Sequence, residues 1–173
     1  ITKGAWELTD MMHIKASEII ARSLRDSVKG DPEGRAQMAL GQYIAGMGFS
    51  NVGLGIVHSM AHPVSAVYDI PDGVACAILL TPVLKFNAPS TANKYRDIAV
   101  AMGVKNTEDM SIEQARQACI EAVEKLSVDV GIPQKLTQLG VKEEDLQFLS
   151  ESALVDACTQ GNQRNVSVEA IKE

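Results

Sequence analysis

Residues 111–131 read SIEQARQACIEAVEKLSVDVG, and they decide the fold class. Ser111 and Gln114 stand at the spacing of a capping box, in which each side chain satisfies the other residue's backbone N–H at a helix start. Ile112, Ala115, Cys119, Val123, Leu126 and Val130 then trace one apolar face, and Gly131 supplies the stop. The pattern predicts a long amphipathic helix that must bury its face against another element.

Working outward, residues 142–157 predict another helix, and residues 93–102 a short one stopped by Gly103. From 73 to 85 the run VACAILLTPVL is apolar throughout, with Pro82 able to kink it. It reads as a buried helix, short of the ~18 to 20 residues a bilayer span needs. Nearer the start, Leu8, Met11, Met12, Ile19, Ile20 and Leu24 predict a helix over about 5–24, with Gly30 beyond its end. His13 lies within that helix and reads as a polar residue at its flank, since nothing nearby completes a site.

Asp31 and Pro32 suit a cap and a first helical turn, ahead of the small-residue run GRAQMALGQYIAGMGFSNVGLG. Such residues let another backbone approach closely. Gly53, Gly55 and His58 give only a near miss to the dinucleotide fingerprint, since no strand precedes them and the third glycine is absent. No stretch alternates with period two, and neither a repeat nor a linker divides the chain. The expectation is an all-α multi-helix bundle of about seven or eight helices, forming one domain or a large piece of one.

Composition agrees. Of 173 residues 46% are hydrophobic but only 4% aromatic, which favours helices packed on helices. Lys plus Arg number 16 against 22 acidic residues, so the net charge is −6 and a nucleic-acid partner is not expected. Cys76, Cys119 and Cys158 are odd in number and scattered, which suits reduced thiols and a cytoplasmic location. No membrane partner is expected either, for want of a long apolar run or a signal-peptide pattern. The helical pattern begins within a few residues of Ile1, so the chain is expected to be a piece of a longer protein.

The chemistry concentrates in residues 55–73, GIVHSMAHPVSAVYDIPDG. On an unbroken helix His58 and His62, four residues apart, project from one face and can converge on one ion. Imidazole suits zinc and iron. Ser59 stands where a zinc-peptidase motif carries its glutamate, so that chemistry is a poor fit. Asp69 and Asp72 are candidate further ligands if the chain turns at Pro71, whereas Pro63 biases His62 away from helix. Spacing alone leaves a metal site and a hydrogen-bonded helix interface both open.

The segment AGMGFSNVGLGIVHSMAHPVSAVYDIPDGVACAILLTPVLKFN closely resembles the helical domain of the iron-containing (group III) alcohol dehydrogenases. The likeness extends from GAWELTDMMHIKASEII through KYRDIAVAMGV and DVGIP to CTQGN, nearly the whole chain. The resemblance implies a C-terminal metal-binding domain, over 1–173, of an enzyme whose N-terminal nucleotide-binding domain and first ligand helix lie upstream. It implies His58 as a metal ligand and His62 as a proton-relay residue beside the reacting centre. The family's PHG motif is here Pro71, Asp72, Gly73, so Asp72 replaces a ligand histidine. Phe49 and Cys158 match positions lining the substrate pocket, where core packing is the bland alternative. Residues that bind the cofactor are not identified.

The function so implied is NAD-dependent, metal-assisted oxidation of a small alcohol or diol, or reduction of an aldehyde, with iron or zinc as the ion. Taken alone the chain is expected to be inactive and metal-poor, because it lacks the nucleotide site and two ligands. A homodimer is compatible with this reading. The alternatives are a noncatalytic fragment or pseudoenzyme module with a degraded metal site, and a stand-alone metal-binding bundle.

Overall fold

The capping box at residue 111 forms as expected: Ser111 N–H donates to Gln114 Oε1 at 2.7 Å and Gln114 N–H to Ser111 Oγ at 3.2 Å. The helix it opens, Ile112–Asp129, buries Ala115, Cys119, Ile120 and Leu126. It is the sixth of eight in a computed structural model that describes residues 1–173. The others are α1 Glu7–Val28, α2 Pro32–Val52, α3 Ile56–Tyr68, α4 Asp72–Asn87, α5 Lys94–Ala101, α7 Leu146–Val155 and α8 Val168–Lys172, with Ile112–Asp129 as α6. There is no β-strand, only an isolated antiparallel bridge between Thr2 and Asn162.

Two expectations are refined. The helix anticipated over 142–157 divides into a 3-10 turn Glu143–Asp145, α7, and a second 3-10 segment Ala157–Gly161. Asp156 causes the second break. It adopts an extended conformation and its carboxylate accepts from Cys158 N–H at 2.8 Å, a local bond that competes with helix continuation. Conversely, α3 runs straight through Pro63, so His62 remains helical. Proline removes one backbone bond there, but Ala61 and Val64 are buried on either side and packing overrides the local bias.

The all-α, eight-helix expectation holds, and the helices group into two compact units whose segments interleave along the chain. One comprises Ile1–Gly4, Gly53–Ser90 and Ile132–Glu173; the other comprises Ala5–Val52 and Thr91–Gly131. Gly53 and Gly131, at two of the crossings, have positive φ of 77° and 78°, where glycine avoids a Cβ clash. No linker composition marks the division because the chain crosses between units at single residues.

The first unit is built on α3, α4 and α7, with Ala61, Val64, Ile70, Ala75, Leu79, Val141 and Leu149 as its core. Asp72–Ser90 is long and apolar enough to cross a membrane by length and composition alone. Its residues Ala75, Ile78, Leu79 and Val83 are buried, so in this fold it serves as a core helix. In the second unit α1 lies against the small-residue side of α2. A Cβ at Gly34 would meet Ser27 N at 2.7 Å, one at Gly41 the Ile20 side chain at 3.0 Å, and one at Gly48 the His13 ring at 2.5 Å. His13 therefore packs on a glycine, and burial lowers its pKa.

Candidate active site

Helix α3 presents its two histidines by burying the residues between them. Ser59 and Ala61 are fully inaccessible, which fixes the helix rotation and leaves His58 half-buried and His62 exposed. The two rings stand edge to face, 6.4 Å between centroids with 62° between planes. After Tyr68, Asp69 closes the helix in the left-handed conformation, buried Ile70 anchors the turn, and Pro71 caps α4. Asp72 thus begins α4, where a carboxylate interacts favourably with the helix dipole.

This turn returns Asp72 toward His58. Burial lowers the pKa of His58, while the carboxylate of Asp72 and, more weakly, that of Asp156 oppose the shift. The net effect favours a neutral imidazole with a lone pair available to an ion. Asp72 also accepts a long hydrogen bond from Cys76 Sγ, at 3.7 Å. Burial first, then that carboxylate, push the Cys76 thiol up to about 12, so it stays protonated.

Sequence reasoning missed Asp156. His62 Nδ1 lies 2.8 Å from Asp156 Oδ2, while Asp156 Oδ1 accepts from the backbone N–H of Cys158. Burial pushes Asp156 upward, but the bonds from His62 and Cys158 outweigh it and hold the carboxyl below its ordinary value. Asp156 is therefore ionised at neutral pH. The Cys158 thiol moves the opposite way, raised by burial and by Asp156. The only local signal for Asp156 was its place two residues before Cys158.

Two groupings bring donor types near one another. His58 and Asp72, near enough for the carboxylate to act on the ring's charge, bring one nitrogen and one oxygen donor of kinds that suit a divalent metal. His62, Asp156 and Cys158 have ligand atoms all within 4.8 Å of one another, although the first two already satisfy each other. Of the anticipated pocket-lining residues, Cys158 lies in this cluster. Phe49 is an exposed residue of α2 in the second unit.

Comparison with known proteins covers the entire chain. The family described as Fe-containing alcohol dehydrogenase, C-terminal, matches residues 1–173. Lactaldehyde reductase of Escherichia coli K12 is 59% identical over 173 residues, covering 100% of this chain and 45% of its own length. The NAD-dependent methanol dehydrogenase of Bacillus methanolicus is 36% identical over 175 residues, covering 100% of this chain and 46% of its own. A crystal structure of 1,3-propanediol oxidoreductase superposes with a TM-score of 0.96 at 40% identity, over 99% of this chain and 45% of that one. The chain spans about half the length of the relatives it matches.

Proposed function

This chain belongs to the Fe-containing alcohol dehydrogenase family, whose C-terminal domain it matches throughout, and from that premise we propose that it forms the metal- and substrate-binding half of an NAD-dependent alcohol dehydrogenase or aldehyde reductase. The observation that carries the reading is the turn at Pro71, which returns Asp72 toward a half-buried, neutral His58 on the helix that also carries His62. In the complete enzyme a bound divalent ion, iron or zinc, held in part by His58 and Asp72, would supply Lewis acidity, and a nicotinamide would supply the hydride acceptor.

The residues of this chain do the remaining work. His58 and Asp72 contribute donors to the ion's shell. His62, with its side chain 45% exposed, accepts the hydroxyl proton during oxidation and returns one during reduction. Cys158, in the cluster with His62, lines the path of the carbon skeleton. The relatives' names point to a small diol or hydroxyaldehyde as substrate.

The test is NAD-dependent oxidation of a short diol by the complete enzyme. Turnover should fall at least ~100-fold in His62→Ala, the range for loss of a general acid–base group. His58→Ala should abolish metal-dependent activity, and the isolated chain should show none. Undiminished activity in both variants would remove the assignment.

A specific departure favours a second reading, a noncatalytic module with a degraded metal site. Asp72 stands in an exposed first turn where the family motif carries histidine. Wild-type turnover by the complete enzyme rejects that alternative.

A further inference from the structure

We propose that Asp156 is a positioning residue that holds His62 in its Nδ1–H form and keeps Nε2 free to exchange a proton with substrate. The inference rests on the proton-handling reading of His62, and it identifies the group that sets which nitrogen does the work.

The two oxygens of Asp156 have separate duties. Oδ1 accepts from Cys158 N–H at 2.8 Å, which locks the carboxylate to the start of the segment Ala157–Gly161. Oδ2 faces His62 Nδ1 at 2.8 Å. An ionised carboxylate only accepts hydrogen bonds, so the ring nitrogen opposite it must carry the proton. The lone pair of a neutral ring then resides on Nε2, and the side chain is exposed enough for substrate to reach it.

Hydrogen bonds tie down the segment behind Asp156. Thr159 Oγ1 bonds the Ser59 hydroxyl at 2.8 Å and the Ala153 carbonyl at 2.6 Å, tying the aspartate's segment to the buried face of α3 between the histidines. His58 stands edge to face with His62, and Cys158, held as a thiol, shares its cluster. Neither supplies a competing carboxylate acceptor. In the serine-protease triad an aspartate plays the same part, and its replacement by asparagine leaves the geometry intact while imposing the wrong tautomer.

Asp156→Asn supplies the test. The amide oxygen can still accept from Cys158 N–H, which leaves the amide NH2 facing Nδ1 and reverses the hydrogen bond. Ring-nitrogen NMR of the complete enzyme carrying 15N-labelled histidine, in mildly alkaline buffer, reads the outcome directly. A His62→Gln spectrum assigns the signal. The native enzyme should show Nδ1–H, and Asp156→Asn should switch the ring to Nε2–H with an unchanged melting temperature. Native His62 as Nε2–H, or an unswitched ring in the variant, overturns the proposal; the first measurement decides even if the variant does not fold.

Kinetics separates this inference from the reading beneath it. Asp156→Asn should lower kcat by about 100-fold with little change in KM, the size expected for a misdirected acid–base group. A switched tautomer with unchanged kcat upholds the positioning role and removes the proton relay from His62.

Discussion

Ser59 and Thr159, each the residue that follows a site side chain, join their hydroxyls at 2.8 Å. Ser59 comes after His58 on α3 and is fully buried; Thr159 comes after Cys158 and also meets the Ala153 carbonyl. Candidate ligand and candidate pocket wall are thus tied together from behind. Thr159→Val removes the hydroxyl but keeps the shape, taking the side-chain donor from the Ala153 carbonyl and leaving Ser59 Oγ only its long bond to the Gly55 carbonyl. It should cost about 1–3 kcal/mol in denaturant unfolding, the penalty for an unsatisfied buried polar group. An unchanged midpoint would show that water replaces the bond.

The buried amides of Asn87 and Asn162 make a reciprocal pair, each Nδ2 donating to the other's Oδ1 at 2.9 Å. Asn162 Nδ2 also donates to the Arg164 carbonyl at 2.8 Å. Each single change to alanine strands the partner amide, so Asn87→Ala and Asn162→Ala should each lose about 1–3 kcal/mol. The double variant should lose less than the sum. Strict additivity in the cycle would mean the pair is not coupled.

Gly161 ends the segment that carries Asp156 and Cys158, and a Cβ there would lie 2.1 Å from the Leu54 carbonyl oxygen. That contact is with backbone, which cannot rotate aside. Gly161→Ala should therefore destabilise the protein by about 1–3 kcal/mol through overpacking. Because the segment must shift, the His62–Asp156 bond should lengthen as well. A melting temperature equal to the parent's, with the ring tautomer retained, would contradict this.

How much of this was legible in advance depends on the range of each interaction. Helix α6 was readable because its cap and apolar face lie within 21 residues of chain, the length over which periodicity carries information. The His58–His62 pair was readable for the same reason. Asp156 was not: it reaches His62 from 94 positions away, and no local pattern encodes that contact. The break after α7 was hidden too, since an aspartate inside an otherwise helical run can cap a new turn or point to solvent, and only the Cys158 bond decides. Two interleaved units left no linker to see. Asp72 was readable beside Pro71 as a candidate ligand, but no more so than Asp69; only the family motif singled it out.

Asp129 offers a pH-dependent test in the second unit. Its carboxylate takes Lys125 at 3.0 Å and Arg25 at 2.8 Å, joining α6 to α1, and hydrogen bonds from these two cations hold its pKa below the ordinary value. A depressed folded pKa means the contribution is present above the unfolded carboxylate pKa and is lost as pH falls through the folded one. Both groups are solvent-accessible, so the effect is small at neutral pH. Asp129→Asn should lower the melting temperature slightly at pH 7 and converge with the parent as pH falls below the carboxylate range of about 4. A gap that persists unchanged in acid would assign the difference to something other than this ion pair.

Asp72 stands where the resemblance implies a metal-binding histidine, and replacing it tests the proposed site most directly. A carboxylate is shorter and harder than imidazole, so Asp72→His lengthens the reach and softens the donor. Two groups cannot close a tetrahedral shell, so the isolated chain should bind zinc weakly before and after the change. On the proposed function the complete enzyme brings further ligands, so the added imidazole should raise its zinc affinity by about tenfold or more, equivalent to ~1.4 kcal/mol. Cys76 provides an internal control. Its thiol is raised by burial and then by Asp72, so removing the carboxylate should lower its pKa and quicken alkylation even where metal binding is unchanged. Calorimetric titration of the isolated chain and the complete enzyme, with alkylation rates alongside, reads both effects. Tight stoichiometric zinc binding by the unaltered chain would overturn the incompleteness of its site, and no gain from Asp72→His in the complete enzyme despite faster Cys76 alkylation would place residue 72 outside the metal shell.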